Sequence, residues 1–215
     1  MRGLILDFDG LIIDSETLTA KVAMQIVGER GGTSQLSDWA ALFGPVGPEV
    51  HEAWARTLKE ILGDDADPEE FNALLNERRR PLTDELQPLP GVLDVMAAAR
   101  DKGWKVGLAT GHQGTPLINT LERLDLRDRF DAIVHTREVA RPKPAPDIFL
   151  ETARRLQVGS NQCLVLEDSL AGYEAAKAAG MSIVVCPCEV TSYATFPQGA
   201  KLVESLVEVD LDDYM

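Results

Sequence analysis

The chain has 215 residues, with 21 Lys and Arg against 35 Asp and Glu, giving a formal net charge of −14 at pH 7. Nucleic acid and acidic membrane surfaces both require a basic footprint, so this balance excludes them as partners and favours small-molecule chemistry. No stretch approaches the ~20 apolar residues of a membrane span, the apolar start is interrupted too early by Asp7 for a signal peptide, and the length suits one core domain with a modest insertion; a cytoplasmic protein is expected.

The first predicted element is a short apolar strand, Leu4-Ile5-Leu6, running into Asp7-Phe8-Asp9-Gly10. Side chains alternate faces along a strand, so Asp7 and Asp9 point one way and Phe8 the other. Two like charges at the end of an apolar strand are costly unless a cation or a shared proton offsets them. A turn that recruits Asp and Gly for conformational reasons alone is the rival reading.

From 15 to 87 the pattern becomes helical. Leu18, Val22 and Ile26 recur every fourth residue, as do Val50, Trp54 and Leu58, each series marking one buried stripe. Another helix is predicted to begin at Asp67-Pro68-Glu69-Glu70, with Asp67 as cap, Pro68 at the first helical position and Glu70 completing a capping box, and to stop before Pro81. The run Arg78-Arg79-Arg80 closes that helix, where cations complement the macrodipole at solvent; a phosphate contact is the alternative. Residues 15–87 are therefore read as an inserted small α-helical cap domain of four helices. Residues 1–14 and 88–215 form the core.

From Pro90 onward helix and strand alternate. Val92, Val95, Met96 and Ala99 mark a helix, and further helices start at Thr115-Pro116, Pro146 and Ser169. Three apolar strands each precede polar groups: Val106-Gly107-Leu108-Ala109 before Thr110-Gly111, Ala132-Ile133-Val134 before Arg141-Pro142-Lys143-Pro144, and Cys163-Leu164-Val165-Leu166 before Glu167-Asp168-Ser169. This order predicts an α/β fold, a Rossmann-like doubly wound parallel sheet covered on both faces. The carboxyl ends of such strands line one crevice, which gathers Asp7, Asp9, Thr110, Gly111, Lys143, Glu167 and Asp168. A hydroxyl, a Gly turn, a lysine fixed between two prolines and several carboxylates suit a phosphoryl group together with a hard divalent cation. Near the C-terminus a short strand is expected around Leu202-Val203, followed by a loosely held acidic tail over 209–215. The three cysteines, Cys163, Cys186 and Cys188, read as reduced structural thiols; a metal role for Cys186 and Cys188 is the lesser alternative, since no His or further Cys lies near them in sequence to complete a zinc set.

Asp7-Phe8-Asp9-Gly10-Leu11-Ile12-Ile13-Asp14-Ser15-Glu16, Thr110-Gly111, Lys143-Pro144-Ala145-Pro146-Asp147-Ile148-Phe149 and Glu167-Asp168-Ser169-Leu170-Ala171-Gly172 together resemble the haloacid dehalogenase superfamily, in its helical-cap branch. The last two segments look most like the β-phosphoglucomutase and sugar-phosphate phosphatase group. The resemblance implies that Asp7 is the nucleophile that forms an aspartyl-phosphate. It makes Asp9 the general acid and then the base, a role that dehalogenases of the superfamily do not need because a halide leaves without a proton. It assigns Gly10, Thr110, Gly111 and Lys143 to the phosphoryl group. Mg²⁺ would be held by Asp7, Asp9 through its backbone carbonyl, and Asp168. Glu167 would support these ligands from behind, or else act as an acid favoured at a helix N-terminus.

Asp14, Ser15 and Glu16 are placed at the cap hinge, and Trp39, His51, Trp54 and Arg56 are conceivable substrate contacts, with Trp54 better read as core. Arg141 adds positive potential or faces solvent, and His112 reads as incidental. The turn Gly44-Pro45-Val46-Gly47-Pro48 departs from the Lys-Gly cap loop of β-phosphoglucomutases, which weakens a mutase reading. The expectation is a Mg²⁺-dependent phosphatase for a small phosphorylated metabolite, foremost a sugar phosphate, acting as a monomer or weak dimer. A phosphomutase is the runner-up, and a non-catalytic metabolite-binding regulatory module comes last.

Overall fold

The computed structural model describes residues 1–44, 48–112 and 115–214. Residues 45–47, at the centre of the proline-rich turn, lie outside the described residues.

The strands β1 (Gly3–Leu6), β2 (Lys105–Thr110), β3 (Ala132–His135), β4 (Cys163–Glu167) and β5 (Ser182–Val185) form one parallel sheet in the order β3-β2-β1-β4-β5. β1 is central because both of its faces are apolar: Leu4 and Leu6 enter one core, and Ile5 enters the other. The first core is closed by α5 (Val92–Asp101) and α6 (Thr115–Arg123) through Val95, Met96, Leu117 and Leu121. The second is closed by α7 (Asp147–Leu156) and α8 (Leu170–Ala178) through Ile148, Phe149, Ala153 and Ala176. Helices on both faces of a parallel sheet are what the apolar strand runs predict. With the chain passing outward from β1 to β3 on one side and then outward again from β4 to β5 on the other, the carboxyl ends beside β1 frame the crevice.

Among the described residues, four α-helices lie between β1 and α5: α1 (Ser15–Glu29), the single turn α2 (Leu36–Trp39), α3 (Pro48–Leu62) and α4 (Pro68–Thr83). They share a separate apolar cluster built on Val22, Ile26, Trp39, Leu58, Phe71 and Leu75. Trp39 is fully buried there, with ring centroids 5.2 Å from Trp54 and 6.3 Å from Phe71, so it packs this cluster and does not reach a substrate. Asp67 caps α4 by accepting from the Glu69 and Glu70 amides. Glu70 does not close a capping box; its carboxylate takes Arg30 at 2.6 Å instead. Nor does α4 stop before Pro81. It runs on to Thr83, whose hydroxyl donates to the Arg79 carbonyl at 3.0 Å. A proline in the last turn removes one backbone donor where few helical bonds remain to be lost.

Two further expectations are corrected near the C-terminus. Around Leu202 there is only a single bridge to Val185, not a strand. The acidic tail is pinned: Leu211 is buried, Asp213 pairs with Lys201 at 2.9 Å, and Lys102 pairs with Asp212. Among the described residues no helix is long and apolar enough to cross a membrane.

Candidate active site

The crevice beside the end of β1 is a cavity of about 340 Å³. Its floor carries Asp7, Asp9, Gly111, His112, Lys143 and Asp168, and its roof comes from the helical insertion through Thr19, Phe43, Asn72, Asn76 and Arg79. His51 and Arg56 are exposed and do not line it.

Asp7 extends β1 by one residue, its amide bonded to the Leu166 carbonyl at 3.1 Å, so the sheet itself fixes this carboxylate. Lys143 is 4% exposed; its ammonium lies 2.5 Å from Asp7 Oδ1, also contacts Glu167, and sits 5.1 Å from the centroid of the Phe149 ring. Burial, with help from Glu167 and Asp9, pushes the Asp7 carboxyl up to about 7 despite the pull of Lys143. The two neighbouring carboxylates hold the Lys143 ammonium above its usual range although burial opposes that charge. This cluster carries more negative than positive charge, which a bound cation would offset.

Glu167 is fully buried and satisfied. Besides Lys143, it accepts from the Asp168 amide at 2.9 Å and from the Ser169 amide and hydroxyl at 3.0 Å. The Glu-Asp-Ser-Leu-Ala-Gly spacing has a geometric reason: a Cβ on Gly172 would lie 1.9 Å from the Glu167 carboxyl carbon. Asp168 is 1% exposed, and its carboxyl is pushed well above the usual range by burial and by Glu167 and Asp7. Its Oδ2 accepts from Thr191 Oγ1 at 3.1 Å and from Cys188 Sγ at 3.7 Å, while its Oδ1 is buried with no partner. A buried acceptor left unpaired is expensive unless something binds there.

Asp7, Glu167 and Asp168 bring oxygen donors within 4.8 Å of one another. Hard carboxylates with one orphaned oxygen fit Mg²⁺, which favours oxygen ligands. With its oxygens already engaged, Glu167 holds Lys143 and the Asp168 and Ser169 amides.

Asp9 stands apart from that cluster. Ser15 donates to its Oδ1 at 2.6 Å, and the His112 ring nitrogen Nδ1 lies 3.2 Å from Oδ2. Burial alone would raise the Asp9 carboxyl, but the His112 and Ser15 contacts bring it below its ordinary value, and Asp9 in turn raises His112 against the effect of burial. His112 is thus part of the site rather than incidental. The available signal was its position two residues past a strand end.

Arg79 corrects a second reading. Arg78 pairs with Glu29 at 2.7 Å on the surface, but Arg79 enters the cavity, where its charge lowers Asp9 and opposes protonation of His112. Successive helical residues point about 100° apart, so a basic triplet cannot face solvent as a unit.

Gly10 takes a different part from the one expected. Its amide donates to the Ile13 carbonyl at 2.8 Å, and at φ +83° it leaves space for the Asp168 carboxylate, whose Oδ2 would lie 2.1 Å from a Cβ. Thr110 is fully buried, its oxygen accepting from the His112 amide at 2.9 Å, and Gly111 lines the cavity. Arg141 pairs with Asp147 at 2.7 Å outside the cavity.

Residues 4–186 match the family model of the haloacid dehalogenase-like hydrolases. The fructose-1-phosphate phosphatase YqaB of Escherichia coli is 35% identical over 85% of this chain and 94% of its own length. The phosphorylated carbohydrates phosphatase of Thermotoga maritima is 33% identical over 84% of this chain and 82% of its own. Among solved structures, CbbY from Rhodobacter sphaeroides in complex with xylulose-(1,5)bisphosphate superposes with a TM-score of 0.73 at 27% identity, covering 97% of this chain and 96% of that one. The chain belongs to the haloacid dehalogenase-like hydrolase family, and its class, phosphoric monoester hydrolase, is the one for which these two phosphatases are named.

Proposed function

We propose that the protein hydrolyses a small phosphorylated metabolite, foremost a sugar phosphate, through an aspartyl-phosphate on Asp7 with Mg²⁺ as cofactor, and that residues 15–87 act as a cap over a core of 1–14 and 88–215. The observation that carries this reading is the separation of two carboxylates on one strand end. Asp7 is gripped by Lys143 at 2.5 Å, and Asp9 is held 3.2 Å from His112 at the same cavity.

Mg²⁺, held by Asp7, Asp168 and the Asp9 carbonyl, would supply positive charge for the approach of one anion to another. The residues then divide the work. Lys143 orients the Asp7 carboxylate and stabilises charge on the transferring phosphoryl oxygens. Asp9 gives a proton to the leaving alcohol and later takes one from the incoming water. His112 sets how much of that proton Asp9 holds, and Ser15 fixes the carboxylate from the cap side. Gly111 offers its backbone to the phosphoryl group. Arg79, Asn72 and Asn76 face the remainder of the substrate from the cap. Sugar hydroxyls suit such amide and guanidinium donors.

The test is a screen of phosphorylated sugars, following phosphate release with Mg²⁺ and with excess chelator. Release that requires Mg²⁺ and favours small sugar phosphates is expected. β-Glucose 1-phosphate with a trace of the 1,6-bisphosphate should give phosphate; glucose 6-phosphate accumulating faster than phosphate would instead assign a mutase.

A further inference from the structure

Beside the hydrolytic cluster lies a second donor set, of which the proposed reaction uses only Asp168. One donor atom each from Glu16, Asp168 and Cys188 lies within 4.8 Å of the others. Glu16 comes from the first turn of α1, Asp168 follows β4, and Cys188 follows β5, so three distant segments converge. One feature points to an occupant that the hard cation does not supply: Glu16 Oε2 is buried without a hydrogen-bond partner. Cys188 is 7% exposed, and its thiol, pushed up to about 12 by burial and by Asp168, donates weakly toward Asp168 Oδ2 at 3.7 Å.

A structural reading of this set leaves two carboxylates crowded together with the Glu16 oxygen orphaned, an arrangement that costs free energy. A cation removes that cost. The identity of the third donor selects the kind of cation: Mg²⁺ keeps to oxygen, whereas a thiolate favours borderline and soft metals. Two carboxylates and one thiolate are three of the four donors of a tetrahedral site.

We propose that Glu16, Asp168 and Cys188 form a site for a borderline-soft divalent cation, Zn²⁺ or Co²⁺, separate from the hard-cation position at Asp7 and Asp168. On binding, the Cys188 S–H bond breaks, its proton passes to solvent, and the sulfur electron pair forms the bond to the metal. Because Glu16 belongs to the helical insertion and the other two donors to the sheet domain, occupancy ties the insertion to the core. It also draws on Asp168, so the soft cation opposes the hard one.

Co²⁺ is the probe, added to metal-free protein without Mg²⁺, because both cations draw on Asp168 and only a sulfur-bound cobalt gives the band read here. A near-ultraviolet sulfur-to-cobalt charge-transfer band should appear, vanish on addition of Zn²⁺, persist in Cys186→Ser and be absent in Cys188→Ser. Glu16→Gln should weaken Co²⁺ binding at least about tenfold, equivalent to ~1.4 kcal/mol. This readout needs no catalytic turnover and stands whatever the substrate. Failure of wild-type protein to bind Co²⁺, binding without the band, or a band that survives in Cys188→Ser would each overturn the proposal. The wild-type spectrum decides even where a variant does not fold.

Discussion

The imidazole of His112 stands 3.2 Å from the Asp9 carboxylate, 103 residues away in sequence, and each raises the fraction of the other's charged form. His112→Gln should keep a hydrogen-bonding side chain but lose the charge. A charge-assisted bond is worth roughly 1.5–3 kcal/mol, so kcat/KM on alkyl phosphates should fall by about 10- to 100-fold, with less loss on an aryl phosphate whose leaving group scarcely needs a proton. The sign with pH is fixed by the raised His112: the wild-type advantage is full below its ordinary value of 6.5 and fades as pH rises through the higher folded value. Equal losses on both substrates would contradict the pairing.

Gly172→Ala places a methyl group 1.9 Å from the Glu167 carboxyl carbon, in a wall formed by the start of α8. Overpacking of this kind costs about 2 kcal/mol, so thermal unfolding should drop by roughly 5 °C. Phosphate release should fall more than stability alone explains, because Glu167 positions Lys143. An unchanged Tm would show that Glu167 has room to move.

Thr191→Val removes the 3.1 Å hydrogen bond to Asp168 Oδ2 at nearly constant volume. Freed to rotate, Asp168 should present its other oxygen less reliably, and the Mg²⁺ concentration for half-maximal activity should rise about 10-fold or more, as changes behind metal ligands do. Calorimetric Mg²⁺ titration of both proteins checks this, and identical affinities would rule out a positioning role for Thr191.

Asp131 joins β2 to β3 through the Val106 amide at 2.8 Å and pairs with Arg100 at 2.7 Å and Lys105 at 3.1 Å. These partners hold its carboxyl below the ordinary 3.8, although burial works the other way. A depressed folded value means the contribution is present above 3.8 and lost as pH falls through the lower one. Asp131→Asn should therefore cost roughly 1 kcal/mol at neutral pH after solvent screening, with the gap closing in strong acid. A gap that stays constant down to full acid unfolding would refute the assignment.

The strands and most helices were legible because their periodicities differ, and the carboxyl-end rule then placed Asp7, Lys143 and Asp168 together before any coordinates. What escaped depends on direction rather than composition. Arg79 and Arg78 are adjacent in sequence, yet one reaches the cavity and the other the surface, because a helix turns between them. The family resemblance assigns Gly10 to the phosphoryl group, whereas its amide bonds Ile13 and its missing side chain accommodates Asp168. Cys188 lacked ligating neighbours in sequence; its companions Glu16 and Asp168 arrive from other segments.

Acid-quenched mass spectrometry during turnover tests the central claim most directly. With Mg²⁺ and an aryl phosphate, whose leaving group scarcely needs a proton, the Asp9→Asn variant, slowed in activating water, should carry one phosphoryl group on the peptide that contains Asp7, and Asp7→Asn should carry none and lose several orders of magnitude in phosphate release while keeping its fold. Substantial phosphate release by Asp7→Asn, or a phosphoryl group trapped on any other residue, would contradict the account.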